Sequence, residues 1–216
     1  MSFWRRWLGR APDPGAARWL VLDTESSGLD PQRDRLLAIA ALAVQPGAGP
    51  LALRPGDSFE VVLRQDDLPE RPDKANILVH GIGVGAQRAG MDPALALQAF
   101  ERFADGAPLV GFHAAFDRTL ISRHLHALTG RRLRNPWLDL ADLAPALCPG
   151  HPQAKALDDW LALFRIEVAQ RHQAAADAWA TAELLQRLWP LAQAQGLGRS
   201  FSALARLAAS RRWLGG

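Results

Sequence analysis

A run of four apolar residues, Trp19-Leu20-Val21-Leu22, leads directly into Asp23-Thr24-Glu25 and then Ser26-Ser27-Gly28. A short apolar run closed by a turn signal reads as a strand buried on both faces. Residues two apart in a strand share a face, so Asp23 and Glu25 point the same way. Two carboxylates side by side at the end of a buried strand repel and raise each other's pKa unless a cation lies between them. The pattern fits two readings: a solvated strand end, or oxygen ligands for a hard divalent metal. The rest of the chain bears on the choice.

The elements around this strand define an α/β fold. Arg35 to Val44 and Ser58 to Leu63 read as further strands, with Pro46-Gly47-Ala48-Gly49-Pro50 as a hairpin loop between them, so the opening is antiparallel. A polar loop with Pro69 and Pro72 leads to Ile77-Leu78-Val79-His80-Gly81-Ile82-Gly83. Asp92-Pro93 is a helix start, cap followed by first-turn proline, and that helix runs to about Ala104. Pro108 to Phe112 is a fourth strand, Ala115 to Leu128 a helix ended by Thr129-Gly130, and Trp137 to Leu140 a short fifth strand. Helices are expected at 141–147, 156–164 and 173–195. Strand and helix alternate from Leu109 onward, which predicts parallel pairing in this half. The sum is a mixed five-stranded sheet flanked by helices.

At 216 residues the chain suits one domain with a full core and short appendages. We read 1–17 as a basic flexible lead-in, 18–195 as the domain and 196–216 as a basic C-terminal tail helix. The lead-in is a flexible tail or a short amphipathic anchor for a partner or membrane surface. The tail helix is solvated or docks on a polymerase or another protein. Residues 1–19 carry +3 and residues 196–216 carry +4 in a chain of net +3, so the body between them is acidic, at −4. That excludes a general nucleic-acid-coating protein. No apolar run approaches the roughly 20 residues of a membrane span. The lone Cys148 excludes an intramolecular disulfide and a Cys-based zinc site. A cytoplasmic location is expected. Trp19, Trp137, Trp160, Trp179 and Trp189 fall at helix or strand spacing and are assigned to core packing.

Two further acids and a histidine stand in fitting contexts. Asp117 follows the strand Leu109-Val110-Gly111-Phe112 at the start of a helix, where a first-turn acid is also favourable on helix-dipole grounds. His172 lies five residues before Asp177, with small residues between them that allow close helix approach. Taken singly, a histidine at a helix start is usually structural.

In order, Asp23, Glu25, Asp117, His172 and Asp177 resemble the DEDDh group of 3′–5′ exonucleases, which includes proofreading subunits of bacterial replicative DNA polymerase. The first motif matches Asp23 to Asp30, the second Gly111 to Asp117, and the third His172 to Asp177. Smaller echoes are His80-Gly81-Ile82, Asp139-Leu140 and Leu157 to Leu161, and the likeness spans roughly 18–190. One departure is Phe112-His113, where family members often have His-Asn. The resemblance implies a ribonuclease-H-like fold and hydrolysis of DNA 3′ ends, single-stranded or frayed, to nucleoside 5′-monophosphates. It implies two Mg²⁺ or Mn²⁺ ions about 3.5–4 Å apart. Asp23 would bridge them, Glu25 and Asp177 would hold the one carrying the attacking water, and Asp117 would support the other. His172 would be the general base, since histidine ordinarily titrates near neutrality. Thr24, Gly28 and Leu29 would line the terminal-nucleotide pocket, with Phe116 nearby and His80 and His113 as substrate contacts. RNA trimming is the alternative substrate reading. The alternative from another class is a catalytically idle polymerase-associated docking module, against which stand all five intact positions.

Overall fold

β1 (Trp19–Ser26) lies at the centre of a five-stranded sheet with order β3-β2-β1-β4-β5. The structure is a computed structural model and describes residues 18–67, 81–168, 171–198 and 200–214. β2 (Leu36–Gln45) and β3 (Ala52–Val62) continue antiparallel from one edge of β1. β4 (Leu109–Gly111) and β5 (Trp137–Asp139) add in parallel on the other. The antiparallel opening and parallel second half are those read from the sequence.

Two strands exceed their predicted bounds. β1 runs through both acids, with Asp23 opposite Ala40 and Glu25 opposite Ala38, so the carboxylates lie inside the ladder. β3 begins at Ala52 rather than Ser58. The strand carries Arg54-Pro55-Gly56-Asp57, which the pairing with β2 accommodates by a register shift between Leu42 and Ala43, an irregularity in an edge strand. A short helix, α1 (Val84–Ala89), was not predicted, because its sequence is interrupted by glycine.

Alternation along β1 assigns the two faces. Leu20 and Leu22 join Ile39, Phe59, Leu97, Phe100, Leu120 and Ile121 under α2 (Pro93–Ala104) and α3 (Ala114–Thr129). Asp92 caps α2 by accepting from Ala94 N (3.1 Å) and Leu95 N (3.2 Å), and Gly130 ends α3 at φ 69°. Trp19 and Val21 face the other way, into a core shared with α4 (Leu140–Leu147), α5 (Leu157–Phe164) and α6 (Ala174–Ala194). α6 crosses β1 and β2 directly, and the contact is made by alanines: Ala40 packs with Ala174 and Ala178 in a small cluster of its own.

The C-terminal helix α7 (Phe201–Leu214) is not a solvated tail. Leu204 and Ala208 are buried in the core of α4 and α6, and Phe201 packs edge-on against Trp19 at 5.0 Å. Of the tryptophans assigned to the core, Trp19, Trp160 and Trp189 are buried and Trp137 is partly so. Trp179 departs from that expectation. It is 39% exposed, bonds Glu183 Oε1 through Nε1 at 2.8 Å, and lines an apolar cleft with Ala40, Leu42, Pro55, Ala175 and Ala178. No helix among the described residues is long and apolar enough to cross a membrane.

Candidate active site

The C-terminal ends of β1, β4 and β5 come together beside the N-termini of α3 and α4, the helices that follow β4 and β5, and the acids gather there. Asp23 and Glu25 share the Trp19/Val21 face, which α6 covers. The fourth residue of α6 is Asp177. Oxygens of Asp23, Glu25 and Asp177 lie within 4.8 Å of one another. The alanine contact makes this possible. With Ala40 opposite Asp23 and Ala174 and Ala178 flanking Asp177, no bulky side chain holds the helix off the strand.

Asp117 approaches from the opposite face. It is 4% exposed in the first turns of α3, and its Oδ1 accepts the Thr24 hydroxyl at 2.7 Å. Gly111 makes room for that turn: a Cβ there would sit 3.3 Å from Ala114 Cβ and 3.4 Å from Asp117 Oδ2. Asp117 lies outside the group of three but near enough to act on it electrostatically.

Burial dominates the charge balance. It pushes the Glu25 carboxyl up to about 7, with Asp117 adding to the rise. It does the same to Asp117, also to about 7, against the opposing Thr24 hydrogen bond. Asp23 is raised well above the usual carboxylate range by burial, then by Asp117 and Glu25. Such a cluster favours anything that brings positive charge. Glu25 Oε1 is buried with no hydrogen-bond partner, an uncommon state for a carboxylate oxygen. Three convergent carboxylates, one with an orphaned oxygen, fit a hard divalent cation.

Two histidines flank the cluster in left-handed backbone, His113 at φ 59° and His172 at φ 61°. Non-glycine residues hold that conformation at a cost, and it concentrates at functional sites. His172 donates its backbone N–H to Asp177 Oδ2 at 3.0 Å and leaves its side chain exposed. The His113 N–H goes to Asp139 Oδ1 at 2.9 Å, and its ring lies edge-on to Phe112.

The remaining predicted residues divide. Leu29 is 95% exposed at the tip of the turn after β1, a large apolar side chain free to meet a ligand. Gly28 sits against Asp34, where a Cβ would come within 2.6 Å of Oδ2. That carboxylate braces the turn by accepting from Ser27 Oγ (3.1 Å) and Asp30 N (2.7 Å). Thr24 is buried on Asp117, and Phe116 packs against the α2–α3 core. His80 lies outside the described residues.

Two residues escaped prediction as site components. Asp139 caps α4 through Ala141 N (3.0 Å) as well as holding His113; an acid between a short strand and a helix was the available signal. Arg171 pairs with Asp177 and with Asp158, and its charge lowers the pKa of both Asp23 and Glu25. Its place immediately before His172 was the only hint.

The chain belongs to the RNase_T exonuclease family, described as Exonuclease, whose family model matches residues 20–185. The class is thus set by family and fold together: a member of this exonuclease family with a mixed five-stranded, ribonuclease-H-like sheet. More particularly, the chain is 33% identical over 183 residues to a DNA polymerase III subunit epsilon-like protein of Rhodobacter capsulatus, covering 83% of this chain and 25% of that protein. It is 27% identical over 184 residues to a PolC-type DNA polymerase III of Latilactobacillus sakei, covering 80% of this chain and 11% of the relative. It thus spans about a quarter or less of these relatives. Among solved structures, E. coli exonuclease I in complex with a dT13 oligonucleotide superposes with a TM-score of 0.65 at 19% identity, over 83% of this chain and 42% of that one. The cell-death related nuclease CRN-4 gives 0.66 at 14%, over 80% and 64%. At these identities the structural likeness is one of fold.

Proposed function

We propose that the chain is a 3′–5′ exonuclease that hydrolyses single-stranded or frayed DNA 3′ ends to nucleoside 5′-monophosphates. The observation that carries this is the convergence of Asp23, Glu25 and Asp177 within 4.8 Å around a buried, unpartnered Glu25 Oε1. Asp23, Glu25 and Asp177 would hold one divalent ion, and Asp117 would support a second from the far face, Mg²⁺ or Mn²⁺ in each case. When bound, these ions supply Lewis-acid polarisation of the phosphodiester and acidify the attacking water.

The chain's own residues do the rest. His172 takes the proton of the attacking water on its exposed ring. Its backbone N–H is held by Asp177, so ligand and base are tethered together. Thr24 fixes the rotamer of Asp117. Leu29 offers an apolar wedge for an unpaired terminal base, and His113, held by Asp139, faces the cleft that also contains Asp142 and Lys155. Single-stranded DNA as substrate is supported by the exonuclease I complex. Association with a polymerase is supported by the names of the epsilon-like and PolC-type relatives.

The test is a gel time course on 5′-labelled single-stranded DNA, 3′-recessed DNA and RNA of one sequence, with Mg²⁺, Mn²⁺ or EDTA. Wild type is compared with Asp177→Asn. The expected result is stepwise shortening from the 3′ end, fastest on single-stranded DNA and lost in EDTA and in the variant. Faster shortening of RNA would transfer the reading to RNA trimming. No shortening on any substrate would overturn it in favour of a docking module.

A further inference from the structure

Both oxygens of Asp177 are engaged within the protein. Oδ2 accepts the His172 N–H at 3.0 Å, and Oδ1 is paired with Nη1 of Arg171. Nε of the same guanidinium meets Asp158 Oδ1 at 2.5 Å. Arg171 thus bridges two acids of different kinds. Asp177 belongs to the cluster and its side chain is 9% exposed; Asp158 lies in the first turn of α5 and is 64% exposed. A rigid planar fork suits such bridging. A divalent ion shared by Asp23, Glu25 and Asp177 needs an oxygen of Asp177, and the oxygen not committed to positioning His172 carries the guanidinium. Two cations on one carboxylate oxygen repel.

We propose that Arg171 is a built-in counter-cation of the metal-free site, which a divalent ion must displace from Asp177, with Asp158 as the anchor that keeps the displaced guanidinium beside the site. The inference rests on the reading of the cluster as a metal centre. Its consequence is that metal affinity is set partly by a residue that is not a ligand. In the metal-free protein Arg171 relieves the repulsion among the acids; in the loaded protein it is retained on Asp158.

The experiment is a Mn²⁺ titration of the full chain without nucleic acid, followed by the electron paramagnetic resonance signal of free Mn²⁺. Melting in EDTA and in Mn²⁺ accompanies it. Arg171→Gln is expected to bind Mn²⁺ about tenfold more tightly than wild type, since the competing charge is gone. It should melt lower in EDTA and gain more from Mn²⁺ than wild type does. Asp158→Asn, an exposed change that leaves folding intact, is expected to bind about threefold more weakly, because the displaced guanidinium has no anchor. Arg118→Gln removes an exposed positive charge beside Asp117 without touching Asp177, and should change affinity less than about twofold. Equal or weaker Mn²⁺ binding by Arg171→Gln, or a gain by Arg118→Gln as large as that of Arg171→Gln, would overturn the proposal. Should Arg171→Gln fail to fold, unchanged binding by Asp158→Asn would do so. Absence of saturable Mn²⁺ binding in wild type and variants alike would overturn the metal centre itself.

Discussion

Thr24 and Asp117 meet across the end of β1, hydroxyl to carboxylate at 2.7 Å, although their elements lie on different layers of the fold. The bond ties the acid from the α3 side to the strand that carries Asp23 and Glu25 on its other face. Thr24→Val keeps the shape and removes the donor. It takes one hydrogen bond from a buried carboxylate, at an expected cost of about 1–3 kcal/mol in stability. Exonuclease rate should fall about 10–100-fold, as when a residue supporting a metal ligand is lost. Because the Thr24 bond opposes the rise of the Asp117 pKa, the acid limb of the pH–rate profile should also move to higher pH. Denaturant melts and initial rates from pH 5.5 to 9 check both outcomes.

The metal-free protein should lose stability as pH rises. Glu25 and Asp117 are raised from 4.5 and 3.8 to about 7, so each binds its proton more tightly folded than unfolded. Their contribution is full below the unfolded values and is lost as pH climbs through about 7. Urea unfolding in EDTA should show a decline on the order of 5 kcal/mol between pH 5 and 8. Asp23→Asn or added Mn²⁺ should flatten that slope. Stability that increases across this window would contradict the burial of the pair.

The alanine contact between α6 and the sheet sets the position of Asp177. Ala178 is 1% exposed and Ala40 is 2% exposed, one on each side of the contact. Ala178→Leu overpacks it and should cost about 1–3 kcal/mol. Lifting the helix separates Asp177 from Asp23 and Glu25, so Mn²⁺ affinity should fall along with stability. Ala178→Gly, which adds no volume, should keep Mn²⁺ affinity close to wild type despite a cost of about 1 kcal/mol. Calorimetric titration distinguishes the two variants.

The C-terminal helix contributes to the stability of the fold. Leu204 is fully buried in the core shared by α4 and α6. Leu204→Ala should destabilise by about 2–5 kcal/mol. Truncation after Gly198 should lower the melting temperature more than Leu204→Ala does, since it also removes Phe201 from Trp19 and Ala208 from the core. A truncated protein that melts like the full chain would show the packing to be dispensable.

Local sequence determined a good deal of this molecule. The apolar run from Trp19 to Leu22, the Asp92-Pro93 start and the Gly130 stop are signals written in a few adjacent residues, and the elements formed where those signals stand. Strand alternation alone put Asp23 and Glu25 on one face. The ordered acids with His172 were legible as a family pattern because each lies at an element boundary that the sequence also marks. The tertiary structure decided what depends on distant residues meeting. Neither Thr24 nor Asp117 announces the other, since they lie 93 positions apart and on different layers. Arg171 becomes part of the site only because the chain before α6 brings it between Asp158 on α5 and Asp177 on α6. Trp179 and the C-terminal tail helix were misread for the same reason: helical spacing marks a face, but only packing settles whether that face is covered, leaving Trp179 in a cleft and the tail's Leu204 in the core.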